Sequence, residues 1–208
     1  MRVLGIDPGS RHTGYGVVEA KGTRLRLVAC GTVSPGEGLP LAARLAAIHA
    51  ELTRVIRRTA PAAVSVEEVY HAVNARSALV LGQARGAALV AAAAASVEVH
   101  EYAASEIKRA VTGTGRAQKE QVARMVAMLL GAAEAPGDEH ACDALAAAIC
   151  HLHRARLPAR PGEARPVEAL PAVVPAAGNV VRQRRTGAGG FPAGVRIAPA
   201  VTKGGGRR

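Results

Sequence analysis

Large rings are nearly missing from this chain: three Tyr, one Phe and no Trp in 208 residues. Hydrophobic residues still make up 49% of it, so a core must be filled by Leu, Val, Ile and Ala through many small contacts. Cysteine is also scarce. Cys30, Cys142 and Cys150 are odd in number and form no CxxC pair, which excludes a disulfide framework and makes a reducing cytoplasm the default. Long apolar runs are absent as well. The most apolar stretch, Ala87–Val97, is about half the length needed to span a bilayer. Met1–Ile6 is too short for a signal peptide because Asp7 interrupts it. These absences predict a soluble, cytoplasmic protein with no membrane segment. Finally, acid is missing from one end. Residues 159–208 hold nine of the 27 Lys and Arg but only two of the 16 Asp and Glu. A basic excess of this kind suits a polyanion such as nucleic acid or an anionic surface.

What is present reads as one α/β domain with an appendage. Val3–Ile6 is a short apolar strand followed by the turn signal Asp-Pro-Gly. Gly14–Glu19 and Leu25–Val33 are two more strands around Lys21-Gly22, and their close spacing favours antiparallel pairing. Leu39–Thr59 has helical periodicity, with Leu41, Leu45, Ile48, Leu52 and Val55 on one face, and Pro61 ends it. Ala62–Val66 is a fourth strand with Glu67 at its end. Ser77–Ser96 is a helix apolar on nearly every face, broken by Gln83 and Arg85. Such a helix is buried from more than one side, and the chain has too little mass to surround it, which favours a subunit interface. Val97–Tyr102 is a fifth strand. Helices follow at about Ala104–Val111, Ala117–Leu130 and Glu139–Arg156. The result is a five-stranded mixed sheet flanked by helices. Past Leu157 periodicity disappears, and residues 158–208 carry seven of the 12 prolines and nine of the 23 glycines. We read residues 1–157 as the folded domain and 158–208 as a disordered, basic Pro/Gly/Arg-rich tail.

Three acidic positions fit packing poorly. Asp7 and Glu67 each end a strand after an apolar run, where ligand sites form in open α/β sheets. Their charges repel unless a cation lies between them. A hard divalent cation with oxygen ligands, Mg²⁺ or Mn²⁺, resolves that repulsion. The third position lies in Asp138-Glu-His-Ala-Cys-Asp-Ala-Leu145, at the start of the last helix. Asp138 and Glu139 are well explained as acids complementing the helix dipole. Asp143, a turn deeper, is not. His140 shares its face at i, i+3, and Glu139 competes for the same role at i, i+4.

The motifs carrying these residues resemble the RuvC family of Holliday junction resolvases. Gly5-Ile-Asp-Pro-Gly-Ser-Arg-His-Thr-Gly-Tyr-Gly16 is similar to that family's N-terminal signature. Asn74-Ala-Arg-Ser-Ala-Leu-Val-Leu-Gly-Gln-Ala-Arg-Gly86 is similar to its central helix, and Ala141-Cys-Asp-Ala-Leu-Ala-Ala-Ala-Ile149 to its C-terminal acidic motif. The resemblance runs from Met1 to about Arg156. It implies a ribonuclease H-like fold and a homodimer that binds four-way junction DNA and nicks two strands symmetrically during recombination and repair. It also implies 5′-phosphate and 3′-hydroxyl ends, two Mg²⁺ ions per subunit, and work alongside the RuvA and RuvB branch-migration proteins. Asp7, Glu67 and Asp143 match the family's catalytic, metal-holding carboxylates. His140 falls where many members have aspartate and some have histidine. It is a softer ligand, so Mn²⁺ is expected to be effective too, and proton transfer is an alternative role.

DNA contacts follow from the same resemblance. Tyr70 matches an aromatic that stacks on an unpaired base, an interaction worth about 1–3 kcal/mol per base. Lys108 and Lys119, on either side of Gly113-Thr-Gly115, match basic residues near the active site and would hold phosphates. Arg76 and Arg116 are weaker candidates. Tyr15 and Tyr102 sit in strand patterns and are expected in the core. Cys150, His151 and His153 lack the paired cysteines of a zinc site. Three other functions compete. An ATPase of the actin and sugar-kinase type also starts with a strand and an acidic turn, but it needs two such domains. A catalytically impaired junction-binding module is favoured only by His140. A related RNA-processing nuclease differs only in substrate.

Overall fold

Three strands drawn from residues 2–34 form the antiparallel half of the sheet: β1 (Arg2–Asp7), β2 (Thr13–Lys21) and β3 (Arg24–Ser34). The turn between β2 and β3 uses Gly22 at φ +56°, a left-handed conformation that glycine adopts without strain. This structure, a computed structural model, describes residues 1–68, 74–156 and the backbone of 196–197. After α1 (Leu41–Thr59), Ala60 turns left-handed and the chain returns as β4 (Ala63–Glu67), parallel to β1. Helix α2 (Ala75–Ala94) leads to β5 (Glu98–Tyr102), parallel to β4. Helices α3 (Ala104–Thr112), α4 (Lys119–Leu130) and α5 (Glu139–Arg154) complete the domain. The five strands lie in the order β5-β4-β1-β2-β3, a mixed sheet as expected from the sequence. A two-residue strand, Arg196–Ile197, adds itself antiparallel to the β3 edge at Ser34 and Val33. The remainder of the basic segment read as a tail lies outside the described residues.

Strand alternation divides the core. Leu4, Ile6, Tyr15, Val17, Val64 and Val66 point to one face and pack against Ile48, Leu52 and Val55 of α1 and the alanines of α2. Val3, Val18 and Ala63 point to the other face, beneath α3, α4 and α5. Gly5 and Asp7 of β1, Gly14 and Gly16 of β2, and Ser65 and Glu67 of β4 share that second face by the same two-residue period. Helix α5 lies on it at unusually short range. A Cβ on Gly5 would stand 1.9 Å from the Ala144 carbonyl oxygen, and one on Gly14 would stand 2.0 Å from that of His140. Ser65 Oγ donates to the Ala147 carbonyl at 2.8 Å, fixing the helix to β4 as well.

Helix α2 differs from its expectation. It begins at Ala75, two residues before the apolar run, because the Asn74 side chain caps it by accepting from Ser77 N–H at 2.9 Å. It is also less covered than its composition requires. Ala84, Ala88, Ala91 and Ala92 are buried, but Leu79 and Val90 are 64% and 57% exposed. At 20 residues it is long and apolar enough to cross a bilayer by length and composition, with 22% of that stretch buried within this chain.

Candidate active site

Asp7 and Glu67 stand at neighbouring strand ends because β1 and β4 are parallel and Ile6 pairs with Val66. Both face α5, whose second turn presents Asp143. The three carboxylates feel one another. Burial pushes the Glu67 carboxyl above the ordinary range, and the charges of Asp7 and Asp143 push it further. Asp143 is raised in the same way, first by burial and then by Asp7. Lys108 and Lys119 act in the opposite direction on Glu67 without reversing the shift. Two acids raised chiefly by burial and by a shared third make a place that an added cation would stabilise.

His140 lies one turn before Asp143, and its Nδ1 hydrogen-bonds Asp7 Oδ2 at 3.0 Å. A carboxylate accepts only, so Nδ1 donates in this bond, and in the neutral form of the ring the lone pair then lies on Nε2. Glu139, the competitor for the fourth position, turns away. Its carboxylate pairs with the Lys119 ammonium, and that pair holds the acid below its ordinary range. Asp138 takes the role expected of a helix-start acid. It accepts from Ala141 N–H at 2.9 Å and from Thr32 Oγ1 at 2.5 Å. Burial works against its ionisation, yet these two bonds hold it below the ordinary range.

The other predicted residues are distributed around this group. Lys108 on α3 and exposed Lys119 at the start of α4 both act on the Glu67 carboxylate, and exposed Arg116 lies between them in sequence, in the α3–α4 connection. Arg76 is exposed in the first turn of α2. Tyr70 lies outside the described residues. Tyr15 and Tyr102 are buried, as expected of core residues. His151 is buried too, with Nδ1 at 2.8 Å from the Tyr102 hydroxyl, and burial depresses it to about 4. His153 bonds the Ala110 carbonyl at 2.9 Å, so neither histidine forms a zinc site with Cys150.

One residue escaped the sequence reading. His12, in the loop between β1 and β2, stacks on His140 with ring centroids 5.3 Å apart and planes 18° from parallel. Its Nδ1 hydrogen-bonds Ser34 Oγ at 2.9 Å. The motif Gly-Ser-Arg-His-Thr-Gly contained it, but only the fold brings residue 12 over residue 140.

Among the described residues, no three His, Cys, Asp or Glu side chains are gathered into a ready-made coordination sphere. The donor set nevertheless fits a divalent cation. Asp7, Glu67 and Asp143 supply hard oxygens on one face, two of them destabilised by burial and mutual charge, and His140 offers Nε2.

The family profile described as "Crossover junction endodeoxyribonuclease RuvC" matches residues 3–151. The chain belongs to the RuvC family. A RuvC of Anaeromyxobacter sp. (strain Fw109-5) is 56% identical over 154 residues, covering 74% of each chain. The RuvC of Bordetella petrii is 53% identical over 162 residues, 78% of this chain and 88% of that one. Among solved structures, Thermus thermophilus RuvC in complex with a Holliday junction substrate superposes with a TM-score of 0.72 at 43% identity, covering 75% of this chain and 95% of that one. The yeast mitochondrial Holliday junction resolvase Ydc2, at 11% identity and a TM-score of 0.50, shares the fold alone. The ribonuclease H-like architecture is therefore that of RuvC, and the activity is that of an endodeoxyribonuclease hydrolysing phosphodiester bonds. RuvC nucleases depend on a divalent metal, which agrees with the donor set described above.

Proposed function

We propose that this protein resolves four-way DNA junctions as a homodimer, nicking two strands symmetrically with one active site per subunit. Asp7, Glu67, His140 and Asp143 form that site and hold the metal. The observation that carries this reading is the convergence of Asp7, Glu67 and Asp143 on the α5 face of the sheet, where burial and mutual repulsion raise two of the three. Asp7, Glu67, His140 and Asp143 would hold divalent metal there, and that metal would supply activation of a water nucleophile and stabilisation of charge on the leaving 3′-oxygen.

The chain's own residues do the rest. Asp7, fixed at the end of a central strand, places one carboxylate beside both Glu67 and Asp143, so that the three would hold metal together. His140 keeps Nε2 open as a ligand or as a proton donor and acceptor close to the leaving oxygen. Lys108, Lys119 and Arg116 line the approach and hold phosphates of the bound strand, with Arg76 further out. The exposed Lys119–Glu139 pair contributes little to stability, so DNA phosphate can take the lysine from it. Tyr70, following β4, stacks on an unpaired base. Residues 1–157 constitute the nuclease domain, and the basic segment 158–208 adds salt-sensitive, non-specific DNA affinity. The protein works in the cytoplasm beside the RuvA and RuvB branch-migration proteins.

The test is a synthetic four-way junction incubated with Mg²⁺ or Mn²⁺, beside linear duplex and RNA. Cutting of the junction alone, leaving 5′-phosphate and 3′-hydroxyl ends, is expected. Asp7→Asn is expected to abolish cutting and spare junction binding; a variant that still cuts overturns the assignment. Because His140 replaces a hard ligand with a softer one, Mn²⁺ should support cutting at least as well as Mg²⁺. A titration in which Mn²⁺ gives no cutting counts against His140 as a ligand.

A further inference from the structure

His12 is an exposed loop histidine, yet three features fix it in place. The loop after Asp7 folds back on itself: Thr13 Oγ1 donates to the Gly9 carbonyl at 2.6 Å and accepts from Gly9 N–H at 3.3 Å. Gly9 is required there, since a Cβ would stand 2.3 Å from the His12 carbonyl oxygen. His12 then immediately precedes β2, and Ser34 is the last residue of β3. The ladder's last pair is Thr13 with Val33, so residues 12 and 34 face each other one step beyond it. Their side chains meet through the 2.9 Å bond between His12 Nδ1 and Ser34 Oγ. The ring so anchored lies offset over His140, within the centroid range of attractive ring pairs.

We propose that His12 is a positioning residue for the nuclease reaction: its ring, anchored by Ser34, is a platform that holds the His140 imidazole in the orientation bonded to Asp7. The relay runs Ser34–His12–His140–Asp7, each link a stated contact. His140 needs such support. Its side chain is 40% exposed, it has two rotatable bonds, and its hydrogen bond to Asp7 fixes one ring atom without fixing the plane. Stacking supplies the missing constraint. The free Nε2 edge is thereby held in one orientation before substrate arrives, which is where precise placement affects rate.

This inference rests on His140 belonging to the active site, and the experiment separates the two. Junction cutting is measured for His12→Ala, His12→Phe, Ser34→Ala and His140→Ala, with thermal melts to verify folding. His12→Ala should lower kcat roughly 3- to 10-fold, the scale of one ring pair, with KM and junction Kd unchanged. His12→Phe, which keeps the ring but not the Ser34 bond, should recover most of the loss, and Ser34→Ala should lie between. His12→Ala should add nothing in a His140→Ala background. In the metal-free protein, ¹⁵N-correlated imidazole spectra should show His140 as the Nδ1–H form in wild type and in His12→Phe. In His12→Ala they should show averaging between the two tautomers. If His140→Ala cuts normally, the site reading fails and takes this inference with it. If His140→Ala is defective while His12→Ala cuts normally with an unchanged His140 spectrum, this inference alone is overturned.

Discussion

At the scale of single residues, Glu67 and Asp143, the carboxylates of the proposed site, carry charge held against the interest of folding. Both carboxyls sit above their ordinary range, chiefly through burial and then through Asp7. A native group raised in this way binds protons that the unfolded chain has already released. The metal-free protein therefore loses stability as pH rises from the ordinary carboxylate range through the raised values, and regains it on acidification across that window. Divalent metal should reverse the trend, because it binds the deprotonated form and competes with protons. Glu67→Gln removes its buried charge and its repulsion with Asp7 and Asp143, leaving that between Asp7 and Asp143. We expect it to stabilise the metal-free protein at neutral pH by about 0.5–2 kcal/mol while eliminating cutting. Thermal melts across pH, with and without Mg²⁺, test both parts. A Glu67→Gln protein no more stable than wild type, with a wild-type pH profile, would show that the acids do not strain one another.

The elements place these residues, and glycine is what lets them. Helix α5 can bring His140 and Asp143 to Asp7 only because β1 and β2 offer it no side chains at Gly5, Gly14 and Gly16. At Gly14 the obstructing atom is the backbone carbonyl of His140 itself, which a rotamer change cannot move. Gly14→Ala should therefore lift the N-terminal turn of α5 off the sheet. We expect about 1–3 kcal/mol of destabilisation, the scale of overpacking in a filled core, together with loss of cutting greater than the folded fraction explains. Chemical denaturation and junction cutting on the same preparation measure this, and a stable, fully active Gly14→Ala sinks the idea. Asp7, Glu67 and Asp143 were legible because each is an acid out of place in an apolar run, and the strands and helices because alternation and helical period are local. The three glycines were not, since a glycine in a strand looks the same whether it serves a turn or an approaching helix. His12 was hidden for a related reason: its partners Ser34 and His140 are 22 and 128 positions away, and no spacing rule connects them. Glu139 was ambiguous on helical geometry alone and was resolved by Lys119, a residue 20 positions away.

At the scale of the whole molecule, α2 presents an apolar surface that the other described residues leave partly uncovered. Helix α2 buries alanines against α1 and exposes Leu79 and Val90, with 22% of its apolar stretch buried. Its polar exceptions are not arranged for lipid. Arg85 pairs with Glu101 at 2.5 Å and is largely covered, which ties the helix sideways to β5. We propose that a second copy of the same helix covers this face in the homodimer proposed above, since an isologous pairing would present two sites to two strands of one junction. Leu79→Lys places a charge in that interface and should convert the dimer to monomer in sedimentation analysis. The functional readout is sharper than the mass. On a supercoiled plasmid that extrudes a cruciform, a dimer making two coordinated nicks yields linear product. A monomer makes one nick, which relaxes the plasmid and removes the junction. Leu79→Lys should therefore accumulate nicked circles where wild type gives linear DNA, with the active-site residues untouched. A Leu79→Lys protein that stays dimeric and linearises the plasmid at the wild-type rate would place the subunit contact on another face and leave the exposed side of α2 for something else.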